Sequence, residues 1–417
     1  MATSSRPAAP KGQSSSTQAE PLRPVIADKP KAHTRSRVIR WSVIVLVVAA
    51  LLAGLRIVAD SHLRAVSVLV RLSKPGATGF LTRFANHPVK EEEGTVETAQ
   101  GTLRYRMYLP VDVAHPPGVV LLHGIHRAGI DEPRLINFGR TLADAGIEVM
   151  TPELADLADY RVSPRTIDTI GLAAQALCTK MKQPAVGVAG VSFAGGLALL
   201  AAARPEYRDN IGLVLAVGAH DDMTRVAHFF AANMIEKPDG SSVAFRAHEY
   251  GVLVLAYSHL EHFFSPRDVP LARDALHAQL WEQPDAAQKA ALMSRAGRQT
   301  FDTLLHHREL LQQTFFREID RHRDEMQAVS PHGRIGDLQT RVYLLHGSSD
   351  SVIPASETLW LAKEVPPPQL RAVLISPAMN LIHVDGQRGV PMMEEWALVD
   401  FMAQVLRAEK RLSRPRK

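Results

Sequence analysis

Six short runs of continuous apolar residues constrain the fold of this chain more than anything else in it. They are GVVLLHG (118–124), IEVMTPEL (147–154), AVGVAGVS (185–192), IGLVLAVGA (211–219), RVYLLHG (341–347) and RAVLIS (371–376). A strand that is apolar at every position, not at every second one, has both faces covered, and that is the pattern of a parallel sheet between two helical layers. Helix patterns fill the gaps. One runs over 164–181 and opens at Ser163-Pro164; another, AGGLALLAAARP, is halted by Pro205. The predicted class is therefore α/β, a doubly wound, mostly parallel sheet. Upstream, TVETAQGTLRYRMYLP alternates like a strand pair turning near Gly101, and a helix at about 391–410 closes the domain.

The interval between the strands at 211–219 and 341–347 shows no clear strand but several helix-like stretches, at 223–236, 242–264, 271–281, 285–296 and 299–328. An insertion of that length within a sheet domain reads as a helical cap over the strand ends. The expected organisation is a core of residues 95–220 and 336–408, with the cap at 221–335.

Ahead of this domain stands a different kind of sequence. Residues 1–37 are rich in Ser, Ala, Pro, Thr and Lys without hydrophobic period, a composition that buries too little apolar surface to offset its ordering entropy; they read as a disordered tail. Then Trp41 to Leu55 runs uncharged between Arg40 and Arg56. With Val38, Ile39, Ile57, Val58 and Ala59 added, and the arginines snorkelling, the helix at 38–59 reaches about the 30 Å of a hydrocarbon core. It shows no polar face, its preamble is long for a signal peptide, and no small-residue cleavage site follows. The expectation is a retained single-pass anchor. Eight Lys/Arg precede it, which favours a cytoplasmic N-terminus and a catalytic body on the opposite side. Residues 60–94 form a connector whose HLRAVSVLVRLSK stretch is either an amphipathic helix on the bilayer or a helix packed on the domain.

Charge excludes one class of partner. The net charge of +5 resides in the ends: residues 1–40 carry +6, residues 407–417 carry +5, and the body is about −6. No basic groove for nucleic acid is expected. The single cysteine, Cys178, excludes a disulfide framework and a cysteine zinc site, and reads as a core residue.

The strongest chemical motif is Gly190-Val191-Ser192-Phe193-Ala194-Gly195-Gly196, between a buried strand and a helix. A sharp strand-to-helix turn projects its middle side chain above the sheet, beside the N–H groups at the helix start, and small neighbours prevent collisions. Here the chain resembles the α/β-hydrolase family over roughly residues 95–408, apart from the cap, with one departure: Ala194 stands where the family pattern has glycine. The resemblance implies that His123-Gly124 is an oxyanion loop, that Asp350 in HGSSD is the acid, and that His383 in NLIHVDG is the base. It implies that Ser192 is the nucleophile, with the backbone N–H groups of Phe193 and Ile125 stabilising the oxyanion. Asp221 or Asp222 is the rival for the acid, while Asp385 stands too near His383 in sequence to partner it.

The function implied is a serine hydrolase that cleaves a carboxylic ester or related acyl substrate, small or lipid-like, through an acyl-enzyme on Ser192, with no cofactor and no metal. The alternatives are an acyltransferase or peptidase using the same triad, or a non-catalytic membrane-tethered binding protein. His123 and His126 share an H-x-x-H spacing on a turn. HLEH (259–262) is not the H-E-x-x-H arrangement that sets two ligands on one helical face. His306-His307 reads as solvated surface, and the apolar stretch 252–257 as cap core that could line an acyl pocket.

Overall fold

The computed structural model describes residues 32–381 and 392–412 and divides into two units, Met1–Leu55 and Arg56–Lys417. Helix α1 (Ala32–Ser73) is longer than the expected anchor and includes most of the basic stretch after it. In the first unit its side chains from Val43 to Leu55 are exposed around the whole circumference. By length and composition, the helix is apolar enough to cross a membrane.

The second unit opens with the end of α1, which packs on the domain. Ala65 and Val68 are buried in the same apolar cluster as Leu398, Phe401 and Met402. His62 Nε2 lies 3.1 Å from Asp400 Oδ1, and Arg71 pairs with Asp144. Of the two readings of residues 62–74, the packed helix is the observed one: Ala65, Ser67 and Val68 are buried against the domain, while Leu63 stays exposed.

The sheet begins with the hairpin β1 (Val89–Thr98) and β2 (Gly101–Pro110), in which Thr98 pairs with Gly101 across the turn. β3 (Gly118–Leu122), helix α2 (Pro133–Asp144), β4 (Glu148–Pro152), the short α3 (Ala155–Ala158) and α4 (Pro164–Met181) follow. Next come β5 (Val186–Val191), α5 (Phe193–Ala203) and β6 (Ile211–Val217). After the inserted segment, β9 (Arg341–Gly347), α13 (Ser356–Glu364), β10 (Leu370–Ser376) and α14 (Met392–Leu412) complete the layers, β7 and β8 belonging to the insertion. The eight strands lie in the order β1-β2-β4-β3-β5-β6-β9-β10, and β2 alone runs against the others. Order and direction together are those of the α/β-hydrolase fold.

The continuous apolar runs fill the middle of this sheet for the reason given above. In β3, Val120 and Leu122 join Ile167, Ile170 and Leu197 on one face, while Val119 and Leu121 join Leu135 and Phe401 on the other. The run at 371–376 differs. It forms the edge strand β10, where exposure alternates because one face, with Ala372 and Leu374, packs on the cluster shared with α14, while Arg371 and Val373 on the other face are open.

Between β6 and β9 stand α6 (Met223–Ala232), α7 (Tyr250–Ser258), α8 (Val269–Leu280), α9 (Ala286–Ala291), α10 (Arg295–His306), α11 (Gln312–Arg321) and α12 (Arg323–Ala328). Their apolar faces form a separate cluster that includes Phe229, Leu255, Leu276 and Phe315. The insertion is not wholly helical: β7 (Met234–Glu236) and β8 (Ser242–Ala244) pair as a hairpin. Its Pro238-Asp239-Gly240 turn places Gly240 at φ 82°, and Asp239 Oδ1 accepts from Ser241 N. That turn chemistry interrupts the helices expected over 223–236 and 242–264.

Cys178 is buried as expected, and burial pushes its thiol up to about 11. Helix α14 also buries Glu409, only 3% exposed, whose Oε2 has no hydrogen-bond partner among the described residues. Burial pushes this carboxyl up to about 8, against a weaker pull from Arg341. From the unperturbed 4.5 up to that value the unfolded chain is ionised here while the folded chain holds the proton. Stability is therefore lost as pH rises across the window, by up to about 1.4 kcal/mol per pH unit. Glu409→Gln is expected to flatten that decline in urea melts between pH 5 and pH 8; an unchanged slope would show the carboxyl to be ionised in the folded protein.

Candidate active site

The carboxyl ends of β3, β5, β6 and β9 carry the residues singled out by the sequence, at the edge where open α/β sheets bind ligands. Ser192 follows β5 directly, with φ 58° and ψ −135°, a conformation unfavourable for any residue with a Cβ. The turn is held from both sides. Ser192 N–H donates to Val217 O at 2.7 Å, and Gly195 N–H donates to Ser192 O at 2.9 Å.

Glycine at 190 is obligatory, since a Cβ there would lie 2.6 Å from Ala194 O and 2.7 Å from the Cα of Gly195. Ala194 needs no such freedom: it sits inside α5, fully buried in the core. The departure from the family motif is thereby accommodated without changing the turn. Phe193, the first residue of α5, has an N–H with no intrahelical acceptor.

Gly124 faces this turn across a narrow gap, where a Cβ would lie 3.2 Å from Ser192 Cβ and 3.9 Å from its Oγ. His123 fixes the loop. It is 2% exposed, its Nδ1–H donates to Gly124 O at 2.8 Å, and its Nε2 accepts from Leu154 N–H at 2.9 Å. Burial holds the imidazole neutral, pulled down to about 4. With both nitrogens engaged, His123 positions the loop and has no free nitrogen for proton transfer. His126 Nδ1 accepts from Ala128 N–H, so the H-x-x-H spacing serves the turn. Ile125, next in the loop, packs between the sheet core and the apolar cluster of the inserted helices.

Asp350 lies beyond β9, and its two oxygens differ. Oδ1 accepts from Val352 N–H at 2.8 Å and Ile353 N–H at 3.0 Å. Oδ2 makes no hydrogen bond among the described residues; it lies 3.6 Å from Nε2 of the buried His346, and a Cβ on Gly218 would sit 3.4 Å away. Gly218 follows Val217, the acceptor of Ser192 N–H, so Ser192 and Asp350 flank the tip of β6. His346 donates from Nε2 to Ile353 O and meets Thr358 Oγ1 with Nδ1, bracing the Asp350 loop from below.

The rival acids are engaged elsewhere. Asp222 caps α6, accepting from Thr224 and Arg225 N–H. Asp221 is wholly buried, its Oδ2 2.8 Å from Arg225 Nη2 and 3.1 Å from His332 Nδ1. Its carboxyl is pushed up, by burial first and by the nearby Glu357 second. Glu357, also wholly buried, accepts from Arg225 Nε at 2.6 Å and from the N–H groups of Asp221 and Asp222. This knot ties α6 to α13, and nothing in the sequence pairs partners 132 positions apart. His383, and Asp385 with it, lies outside the described residues. His220, the other imidazole beside the turn, donates from Nε2 to Val329 O, and burial lowers its pKa.

The inserted helices close over these strand ends through aromatic residues that sequence reading did not single out. Tyr160, at φ 57°, donates its hydroxyl to Leu280 O at 2.8 Å and packs on Trp281 and Tyr250. Tyr250 has its phenol pushed up by burial, then by Tyr160 and Asp350. With Phe193, Ile125, Val162 and Met223, these side chains belong to the apolar cluster of the inserted helices, which reaches the turn through Phe193, the neighbour of Ser192.

No family model and no curated protein matches the chain. Among solved structures, an esterase of Pyrobaculum calidifontis aligns over 83% of this chain and 90% of its own, at 15% identity and a TM-score of 0.41. Brefeldin A esterase, a bacterial homologue of human hormone-sensitive lipase, aligns over 86% of each chain at 13% identity and a TM-score of 0.45. A 2-hydroxy-6-oxo-6-phenylhexa-2,4-dienoate hydrolase of Rhodococcus aligns over 78% of this chain and 100% of its own, at 16% identity and a TM-score of 0.39. The strand order and the single reversed strand of this sheet are those of the α/β-hydrolase fold.

Proposed function

We propose that the chain is a serine hydrolase that cleaves carboxylic esters or related acyl substrates through an acyl-enzyme on Ser192. The observation that carries this reading is the strained Ser192 at the β5–α5 turn, facing Gly124 and flanking the tip of β6 with Asp350. In the mechanism, Ser192 Oγ attacks the carbonyl carbon as His383 takes its proton. Asp350, through the oxygen left free of hydrogen bonds, orients the imidazole and stabilises its charged form. The N–H groups of Phe193 and Ile125 receive the oxyanion, a single such donor contributing about 3 kcal/mol or more. His383 then returns the proton to the leaving group, and water releases the acid by the same route.

His383 takes the role of base on the family resemblance of its motif, while His123 has both nitrogens bonded to the backbone and His220 is fully buried, with Nε2 donating to Val329 O and Nδ1 packed against Gly196. The apolar cluster of the inserted helices, reaching the turn through Phe193, supports a hydrophobic acyl group. Acyl transfer and peptide cleavage share the acyl-enzyme; the residues at the turn favour none of the three, and a panel of esters and amides, with and without an added alcohol acceptor, separates them.

The reading extends to location. The apolar α1 serves as a single-pass anchor, and the excess of Lys/Arg before it supports a cytoplasmic N-terminus with the body outside. One experiment tests both parts. A membrane-impermeant fluorophosphonate is expected to label Ser192 on intact cells. Labelling only after permeabilisation would reverse the orientation, and no labelling in either state would favour a binding protein without an activated nucleophile.

A further inference from the structure

Two imidazoles and a carboxylate from separate parts of the inserted layer converge on one point. His262 ends a short 3-10 turn (Leu260–His262), Glu318 belongs to α11, and His322 directly follows α11. Glu318 is 3% exposed. Its Oε2 contacts His262 Nδ1 and lies 3.8 Å from His322 Nε2. The three ligand atoms sit within 4.8 Å of one another.

The hydrogen bonds leave this cluster incompletely paired. Arg321 Nη1 meets His262 Nδ1 at 2.8 Å and donates to both oxygens of Glu318, at 2.8 and 3.0 Å. Glu318 Oε2 can only accept and Arg321 Nη1 can only donate, so His262 Nδ1 satisfies one of these two contacts and leaves the other unmade. His322 Nδ1–H donates to Glu325 Oε1 at 3.1 Å, which in the neutral ring leaves Nε2 unprotonated, and that atom is buried with no hydrogen-bond partner among the described residues. Three potential metal-ligand atoms thus face one another, with the Arg321 guanidinium beside them, and no arrangement of protons pairs them all. An unpartnered lone pair held toward a buried carboxylate is unfavourable unless a cation lies between them.

We propose that His262, Glu318 and His322 bind a divalent transition-metal ion, zinc being the best match. Two imidazoles and one carboxylate, with a fourth position left to water, are a zinc ligand set, and imidazole disfavours magnesium and calcium. Glu325 behind His322 is the carboxylate that orients a metal-bound imidazole through its other nitrogen. His259 stacks on the His322 ring at 3.6 Å between centroids and limits its rotation. Arg321, 53% exposed, stands in for the cation and swings to solvent when the ion enters. The ion clamps the 3-10 turn to the end of α11, across 56 positions of chain. A second set, His259, His322 and Glu325, uses the other face of the same imidazole, but Glu325 is 72% exposed and holds an ion less firmly.

The test uses the tag-free full chain in detergent, stripped with chelator and titrated with Zn²⁺ by calorimetry and by thermal melting. The expected result is one strong site per chain and a melting temperature that rises with Zn²⁺. His262→Ala and His322→Ala should each weaken binding at least ten-fold, while Arg321→Gln should bind as tightly as the parent or several-fold more tightly. The pair His306→Ala/His307→Ala should leave the titration unchanged. No heat and no melting shift in the parent chain would overturn the proposal, and so would parental affinity in both histidine variants. Should those variants misfold, the Co²⁺-loaded parent and Arg321→Gln proteins decide: tetrahedral or five-coordinate d–d bands support the site, and a spectrum of hydrated cobalt refutes it.

Discussion

Ser192→Ala is expected to lose hydrolysis of activated esters by on the order of 10⁶-fold, the scale on which removing a serine nucleophile acts when its base and oxyanion donors remain. The same protein should stay folded. The side chain of Ser192 makes no capping hydrogen bond to α5, and the bonds that hold the turn, from Ser192 N–H to Val217 O and from Gly195 N–H to Ser192 O, are backbone bonds that alanine keeps. Circular dichroism and a melting temperature close to the parent's, together with lost turnover and lost fluorophosphonate labelling, are the combined result expected. Turnover persisting within ten-fold of the parent would remove Ser192 from the chemistry, whatever its backbone conformation.

The second large effect separates the two candidate acids. Asp350→Asn should lower kcat by about 10⁴-fold, because an amide in that position favours the wrong imidazole tautomer. Stability should hardly change, since asparagine keeps an oxygen to accept from Val352 and Ile353 N–H. Asp221→Asn should do the reverse. It breaks a buried pair with Arg225, alongside Glu357, a class of change that destabilises by about 3–5 kcal/mol. Activity per folded molecule should survive. Steady-state kinetics at several pH values, with urea melts of both variants, check this; an Asp221→Asn protein that is stable but inactive would transfer the role of acid to Asp221.

Legibility in the sequence followed the range of the interaction. The central strands could be read because burial on both faces leaves a local mark, as in β3, apolar at every position. The turn at Ser192 could be read because close packing of backbone on backbone demands Gly190 at a fixed offset. A Pro-Asp-Gly signal in the insertion also stood in plain view, and the hairpin β7–β8 shows its weight against a helical period. His346, which braces Asp350 from beneath, carries no mark of that role, since a histidine at a strand end has many uses.

The succession of strands and helices in the sheet domain, the sharp bend at one serine, and an apolar segment long enough for a bilayer were legible in the sequence alone. Each depends on residues within about one helical turn or one strand of each other, where period, size and glycine placement act directly. Tertiary structure alone decided that Asp221 is tied into a buried knot while Asp350 keeps an oxygen free, that the end of α1 packs on the domain, and that His262, Glu318 and His322 meet. The knot around Asp221, the packing of α1 and the meeting of His262 with Glu318 rest on contacts between residues tens to hundreds of positions apart. No local pattern encodes such contacts, because the geometry that makes them exists only after the layers have packed.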